Sequence, residues 1–163
     1  MTDRITESRR SWNMSRIRSK NTKPEYVVRS ILHRAGFRFR LHDHKIPGKP
    51  DLVLPKYKTA IFVHGCFWHR HENCKNATTP STNREFWENK FSKNVNRDNQ
   101  VCDELKKIGW KKIVIWECIV MHTPERILDI IKLELNINID SYIKIPAKAT
   151  LLKVAENKFK KYI

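Results

Sequence analysis

The stretch Val63-His64-Gly65-Cys66-Phe67-Trp68-His69-Arg70-His71-Glu72-Asn73-Cys74 constrains this chain more than any other. Three histidines, two cysteines and two adjacent aromatics fall within it. Thiolate and imidazole are the preferred ligands of a small tetrahedral metal site, so this spacing predicts a loop closed on an ion. Cys66, His71 and Cys74 supply three local ligands, with His69 an alternative to His71. The fourth has to come from elsewhere, and Cys118, placed at the end of a buried strand, is the best candidate. Three cysteines with one histidine form a closed set, which implies a structural zinc that clamps the loop to the strand. The plainer alternative is buried cysteines and surface histidines. Cys102 falls on an apolar helix face and reads as core.

The 33 Lys and Arg against 17 Asp and Glu give a formal charge of +16, which predicts a polyanionic partner and salt-dependent binding. No segment has the roughly 20 unbroken apolar residues of a membrane span. The polar start Met1-Thr2-Asp3-Arg4 lacks a signal-peptide core, so the chain reads as cytoplasmic and not a membrane protein. A length of 163 residues suits one domain.

Residues 1–21 read as a flexible basic arm, too polar to fold alone, and 22–163 as the body. Thr22-Lys23-Pro24-Glu25 has the form of a capping box. Val27, Val28, Ile31, Leu32 and Ala35 make one apolar face of the helix it opens, and Gly36 ends it. Phe37 to Leu41 alternates as a half-buried strand should, and 51–54 and 59–63 read as neighbouring strands. A helix is expected over about 83–108, with Phe91, Val95, Cys102, Leu105 and Ile108 inward and an interruption near 94–99. A strand at 113–116 and a helix opened by Thr123-Pro124-Glu125 follow, the latter with Ile127, Ile130, Ile131 and Leu135 inward. A Lys-rich tail from 136 has a candidate strand at 142–145 and a candidate helix after Pro146. This order gives an α/β fold, a mixed central sheet flanked by helices.

Pro50-Asp51, followed by a second strand ending in Phe62-Val63-His64, resembles the layout of Mg²⁺-dependent nucleases. There a carboxylate holds the metal beside the scissile phosphate. The acid and lysine usual on the second strand are missing, and His64 or His69 can take the lysine's place as a general base. Glu25 is a further acid, with helix capping as its plainer role.

Pro47 to Asp51, Phe62 to His69, Thr82-Asn83-Arg84-Glu85-Phe86-Trp87, Gly109-Trp110, Trp116-Glu117-Cys118 and the arm segment from Met14 to Thr22 together resemble the very-short-patch-repair (Vsr) endonuclease family. The resemblance runs from about residue 9 to 135. It implies a restriction-endonuclease-like (PD-(D/E)xK-type) fold with a structural zinc. It also implies an enzyme that nicks double-stranded DNA 5′ to the thymine of a T:G mismatch, the lesion left by deaminated 5-methylcytosine. Under it, Asp51 is the direct Mg²⁺ ligand, His69 the general base, and His64 and Glu25 organise water around the metal. Cys66, His71, Cys74 and Cys118 hold Zn²⁺. Phe67, Trp68 and Trp87 form an aromatic wedge beside the mismatch, with Met14 approaching from the other groove. Mismatch-repair proteins are candidate partners, and a monomer suffices for a single nick. Two departures stand out. Val63 replaces a common threonine, leaving only its backbone carbonyl for the metal, and one extra residue separates His71 from Cys74. The alternatives are a restriction-type endonuclease without mismatch requirement and a non-catalytic zinc-stabilised DNA-binding module.

Overall fold

The computed structural model describes residues 6–16 and 20–136; the expected strand at 142–145 and the helix after Pro146 lie outside them. A mixed four-stranded sheet carries helices on both faces, as expected. Its strands are β1 (Arg40–Leu41), β2 (Leu52–Leu54), β3 (Thr59–His64) and β4 (Lys111–Trp116), in that spatial order. The first two pairings are antiparallel and β3–β4 is parallel, so the chain must cross over between β3 and β4. Helix α3 (Arg84–Lys107) makes that crossover. Helices α2 (Lys23–Arg34), α4 (Glu117–His122) and α5 (Arg126–Glu134) pack together.

Side-chain alternation along β3 divides the core in two. Ile61 and Val63 pack with β4 residues Ile113 and Ile115 and with Val28, Leu32, Val120, Ile127 and Ile131 from α2, α4 and α5. Ala60 and Phe62 pack against Val101 and Leu105 of α3. His64 continues the Phe62 face, so the sheet delivers it toward α3.

The start of α2 is capped as the sequence predicted: Glu25 accepts from the Thr22 N–H at 3.2 Å. At its other end Gly36 takes φ +79°. The Gly36 N–H donates to the His33 carbonyl and the Phe37 N–H to that of Leu32, a paired closure that needs the left-handed residue. That closure takes Phe37 out of the expected strand, and His42 at φ +48° ends it on the other side. Only Arg40 and Leu41 pair, and Leu41 is exposed.

Three other expectations change. The segment read as a flexible arm, too polar to fold alone, carries helix α1 over Glu7–Ser15. Its Trp12 ring lies under the guanidinium of Arg16 at 4.4 Å, so local cation–π contacts add to a polar helix. Helix α3 is uninterrupted, and it buries Phe91, Asn94, Val101 and Leu105; Val95 and Cys102 are half-buried and Ile108 is exposed. In α5, Leu128 and Lys132 are buried beside Ile127 and Ile131, whereas Ile130 is only half-buried; Leu135, just past the helix, packs partly buried against the core as expected.

The loop entering β2 is held by close approach. Gly48 has φ +77°, and a Cβ there would lie 2.5 Å from Val101 Cγ1 and 3.1 Å from Phe62 Cε1. Gly48→Ala is therefore expected to cost more than about 1 kcal/mol, from the backbone and the clash together. Denaturant unfolding measures it; an unchanged midpoint would mean that the loop does not rest on α3.

Candidate active site and metal centre

Among the described residues, three groups of His, Cys, Asp and Glu place their donor atoms within 4.8 Å of one another. The first is Cys66, His71, Cys74 and Cys118, the four residues that the sequence pointed to. The loop after β3 is wound by successive backbone bonds: His69 N–H to Gly65 O, His71 N–H to Cys66 O and Cys74 N–H to His71 O. Asn73, at φ +54°, closes the two-residue step from His71 to Cys74, a conformation asparagine tolerates well. Cys118 does not end the strand; it sits in the first turn of α4, two residues beyond Trp116. The His71 Nδ1 atom is 3.6 Å from Cys66 Sγ and 3.3 Å from Cys118 Sγ. Sulfur and nitrogen donors on one tetrahedral ion stand about 3.5 Å apart, so the set fits a metal. Burial pushes the Cys66 thiol up to about 12, so a thiolate there needs a cation beside it.

The second group is His64, His69 and Asp98. The two imidazoles stack at 3.7 Å, tilted by 16°. His69 Nδ1 lies 2.6 Å from Asp98 Oδ2, and His64 Nδ1 lies 4.0 Å from the same oxygen. Burial, followed by the neighbouring His69, pushes His64 down to about 3. Burial would raise Asp98, but the hydrogen bond and charge of His69 outweigh it and hold the carboxyl below its ordinary value. Asp98 therefore stays ionised. Trp116 bridges the first two groups: it stacks on His71 at 4.1 Å and meets His64 edge-on at 5.5 Å.

The third group is Glu25, His42 and Asp51. Asp51 Oδ2 accepts the Val63 N–H at 2.7 Å. The Val63 side chain packs on the core, so valine contributes through its backbone. Burial raises Asp51 to about 6 against the opposing Val63 bond; Glu25 raises it further, and Arg29 and His69 lower it. Glu25 caps α2, and the same carboxylate lies within 4.8 Å of the Asp51 carboxylate.

Phe67, Trp68 and Trp87 come together as expected, with ring centroids 5.0 Å apart for Phe67–Trp68 and 5.4 Å for Phe67–Trp87. All three are half-buried, and Phe86, 61% exposed, extends the cluster outward. Met14 is exposed on α1. Asn94 fixes the loop from α3, its side-chain amide donating to the Trp68 carbonyl at 2.9 Å. Asp98, Asn94 and His42 were not singled out from the sequence. The signal for the first two was the polar stretch within α3, which read as an interruption.

A family model described as DNA mismatch endonuclease Vsr matches residues 2–76. Type II nicking enzyme V.NmeAIP of Neisseria meningitidis is 52% identical over 118 residues, 72% of this chain and 84% of the relative. The chain belongs to the Vsr family of DNA mismatch endonucleases. Type II nicking enzyme V.XorIIP of Xanthomonas oryzae pv. oryzae is 45% identical, covering 72% and 86%. DNA mismatch endonuclease Vsr of Escherichia coli is 41% identical, covering 72% and 75%. Membership in the Vsr family makes the protein an endonuclease and removes the non-catalytic binding module from consideration. No helix among the described residues is long and apolar enough to cross a membrane.

Proposed function

We propose that the protein is a Mg²⁺-dependent endonuclease that nicks one strand of double-stranded DNA 5′ to the thymine of a T:G mismatch. The observation that carries this is Asp51, fixed by the Val63 N–H beside the stacked His64–His69 pair, in a chain of the Vsr family. The carboxylate after Pro50 and its neighbour strand support a PD-(D/E)xK-type scaffold, with the histidine pair in place of the usual acid and lysine. A basic arm over 1–21, a catalytic body from 22 onward and action as a monomer complete the reading. Mismatch-repair proteins are candidate partners.

Asp51, with the Val63 carbonyl, would hold Mg²⁺, and Cys66, His71, Cys74 and Cys118 would hold Zn²⁺. When bound, Mg²⁺ neutralises charge developing at the scissile phosphate and lowers the pKa of water beside it. The protein's own groups then divide the proton work. An ionised Asp98 keeps the proton of His69 on Nδ1 and leaves Nε2 as the acceptor that takes a proton from the attacking water. His64 stays neutral, so the proton that His69 acquires meets no second charge at stacking distance. Glu25 holds its oxygens toward Asp51 and orients water on that side.

Asp98→Asn is expected to lower the cleavage rate about 100-fold, because an amide no longer fixes the tautomer or stabilises the imidazolium. Single-turnover kinetics with binding measured alongside provide the check; a change in binding alone would remove His69 from the base role.

The aromatic cluster is the proposed wedge, opposing an unstacking cost of a few kcal/mol that is least at mismatched steps. Trp68→Ala should narrow the ratio of T:G to C:G cleavage at least about tenfold. Unchanged discrimination would eliminate the wedge. The substrate reading itself is tested by cleavage of T:G and C:G duplexes of otherwise equal sequence. Selective cleavage of the T:G duplex supports it; equal cleavage of both would indicate a restriction-type enzyme.

A further inference from the structure

A pocket with positive walls opens at the end of the sheet away from Asp51 and His64. Strand β2 starts beside Asp51 and ends at Leu54, and β3 runs back from Thr59 to His64. The six residues of β3, at about 3.3 Å each, put the intervening turn about 20 Å from His64. Gly36, Phe37 and Arg38 from the end of α2, Lys56 and Tyr57 from that turn, and Lys132 from α5 line a cavity of about 150 Å³. Phe37 and Tyr57, with ring centroids 5.9 Å apart, give it an apolar wall. Lys56 leans on the same wall, its Nζ 5.5 Å from the centre of the Tyr57 ring.

Lys132 is the anomaly here. It is 4% exposed and lies in the buried stripe of α5 with Ile127, Leu128 and Ile131. A lysine usually buries its stem and keeps its ammonium in bulk water, and one this deep is normally paired. Lys132 has no hydrogen bond or ion pair among the described residues. Its ammonium is nevertheless not sealed off, so its open side is the pocket that it lines. Arg38 and Lys56 are exposed at the mouth, and no carboxylate lines the cavity. Three cations thus face one space, where low dielectric strengthens both their mutual repulsion and their attraction for an anion. Donors that converge from three segments suit a tetrahedral oxyanion better than a planar, singly charged carboxylate.

We infer that this pocket binds a phosphate group, with Lys132 at its floor and Arg38 and Lys56 closing over it. The distance from His64 separates it from the scissile phosphate, and it uses neither Asp51 nor a metal. A DNA backbone phosphate outside the cleavage site and the phosphate of a small phosphomonoester present the same oxyanion to it.

The test is titration of the full chain, zinc-loaded and free of Mg²⁺ and DNA, with inorganic phosphate at an ionic strength held constant with chloride. Backbone amide resonances report it. Saturable shifts are expected at Gly36, Phe37, Arg38 and Tyr57, and Lys132→Met should weaken that binding at least about tenfold. Methionine fills the site without a buried charge, so in chloride the variant should melt at or above wild type. Phosphate should then raise the melting temperature of wild type more than that of the variant. Arg38→Gln and Lys56→Gln, at exposed positions, should also weaken binding, and they carry the test should Lys132→Met not fold. Shifts that never saturate at the pocket, or equal affinity in wild type and the neutral variants, overturn the proposal. Two further titrations identify the source of the phosphate. If a DNA backbone fills the pocket, Lys132→Met binds duplex more weakly and with a shallower salt dependence. If a small phosphomonoester fills it, duplex affinity is unchanged and AMP shifts the pocket amides at lower concentration than inorganic phosphate does.

Discussion

Asp51→Asn is expected to lower Mg²⁺-dependent cleavage at least about a thousandfold, equivalent to about 4 kcal/mol of transition-state stabilisation, and to leave the fold intact. The amide keeps the size of the side chain and an oxygen for the Val63 N–H, 2.7 Å away, but carries no charge for a metal. Stability should move in the opposite direction. Burial raises Asp51 to about 6, so the folded metal-free protein binds the proton more tightly than the unfolded chain does. The associated stability is fully present below the ordinary carboxylate pKa of 3.8 and is lost as pH rises through about 6. Asparagine mimics the protonated group, so without Mg²⁺ the variant should melt above wild type at pH 7 to 8 and equal to it in acid. Added Mg²⁺ should stabilise wild type alone. The same shift sets the pH dependence of the reaction. At limiting Mg²⁺, cleavage should rise as pH passes about 6, and saturating Mg²⁺ should move that midpoint lower, because metal and proton compete for one carboxylate. A stable variant that still cleaves, or a midpoint indifferent to Mg²⁺, would place the metal elsewhere.

Cys118→Ser should have the largest effect on stability. Cys118 ties the loop after β3 to α4, across 47 residues of chain from His71. Without the metal, the buried Cys66 thiol stays protonated and the four donors have nothing to converge on. Loss of a structural metal belongs among the changes costing more than about 4 kcal/mol, a fall of about 8–16 °C in melting temperature for a chain of this length. Activity should fall with it, since Trp116 touches His71 on one side and His64 on the other. Zinc content, a melting curve and chelator treatment of wild type provide the check. An unchanged melting temperature with zinc still bound at full stoichiometry would remove Cys118 from the ligand set.

The contrast between these sites and Asp98 indicates what such a sequence exposes. Cys66, His71 and Cys74 were legible because ligand chemistry and short spacing mark them independently of fold. Cys118 followed from strand order, and the structure moves it only one turn, into α4. Asp51 was legible from Pro50 and the flanking strands, and Val63 came with its neighbour. Asp98 escaped because the period of α3 was read from its apolar residues alone. The inward stripe is Phe91, Asn94, Asp98, Val101 and Leu105, helical in spacing but polar at its centre. A reading based on hydropathy assigns those two positions to solvent. Tertiary placement of the Trp68 carbonyl and the His69 ring turns them inward. Arg29 was hidden for the same reason: arginine on a helix reads as surface, and only the left-handed turns at Asn21 and His42 bring partners to it. The sheet itself was legible wherever alternation was long. It failed at Phe37 to Leu41, where a helix closure at one end and a positive φ at the other leave two residues to pair.

If Asp51 holds the catalytic metal, the protein should cut one strand beside a mismatch. Separately labelled strands of a T:G duplex at a methylated-cytosine site, incubated with wild type and Asp51→Asn in Mg²⁺ or chelator, test it most directly. One product is expected, from the thymine strand, ending 5′ to the mispaired base, with wild type in Mg²⁺ alone. Cleavage of both strands, or a product that persists in chelator or in Asp51→Asn, would contradict it.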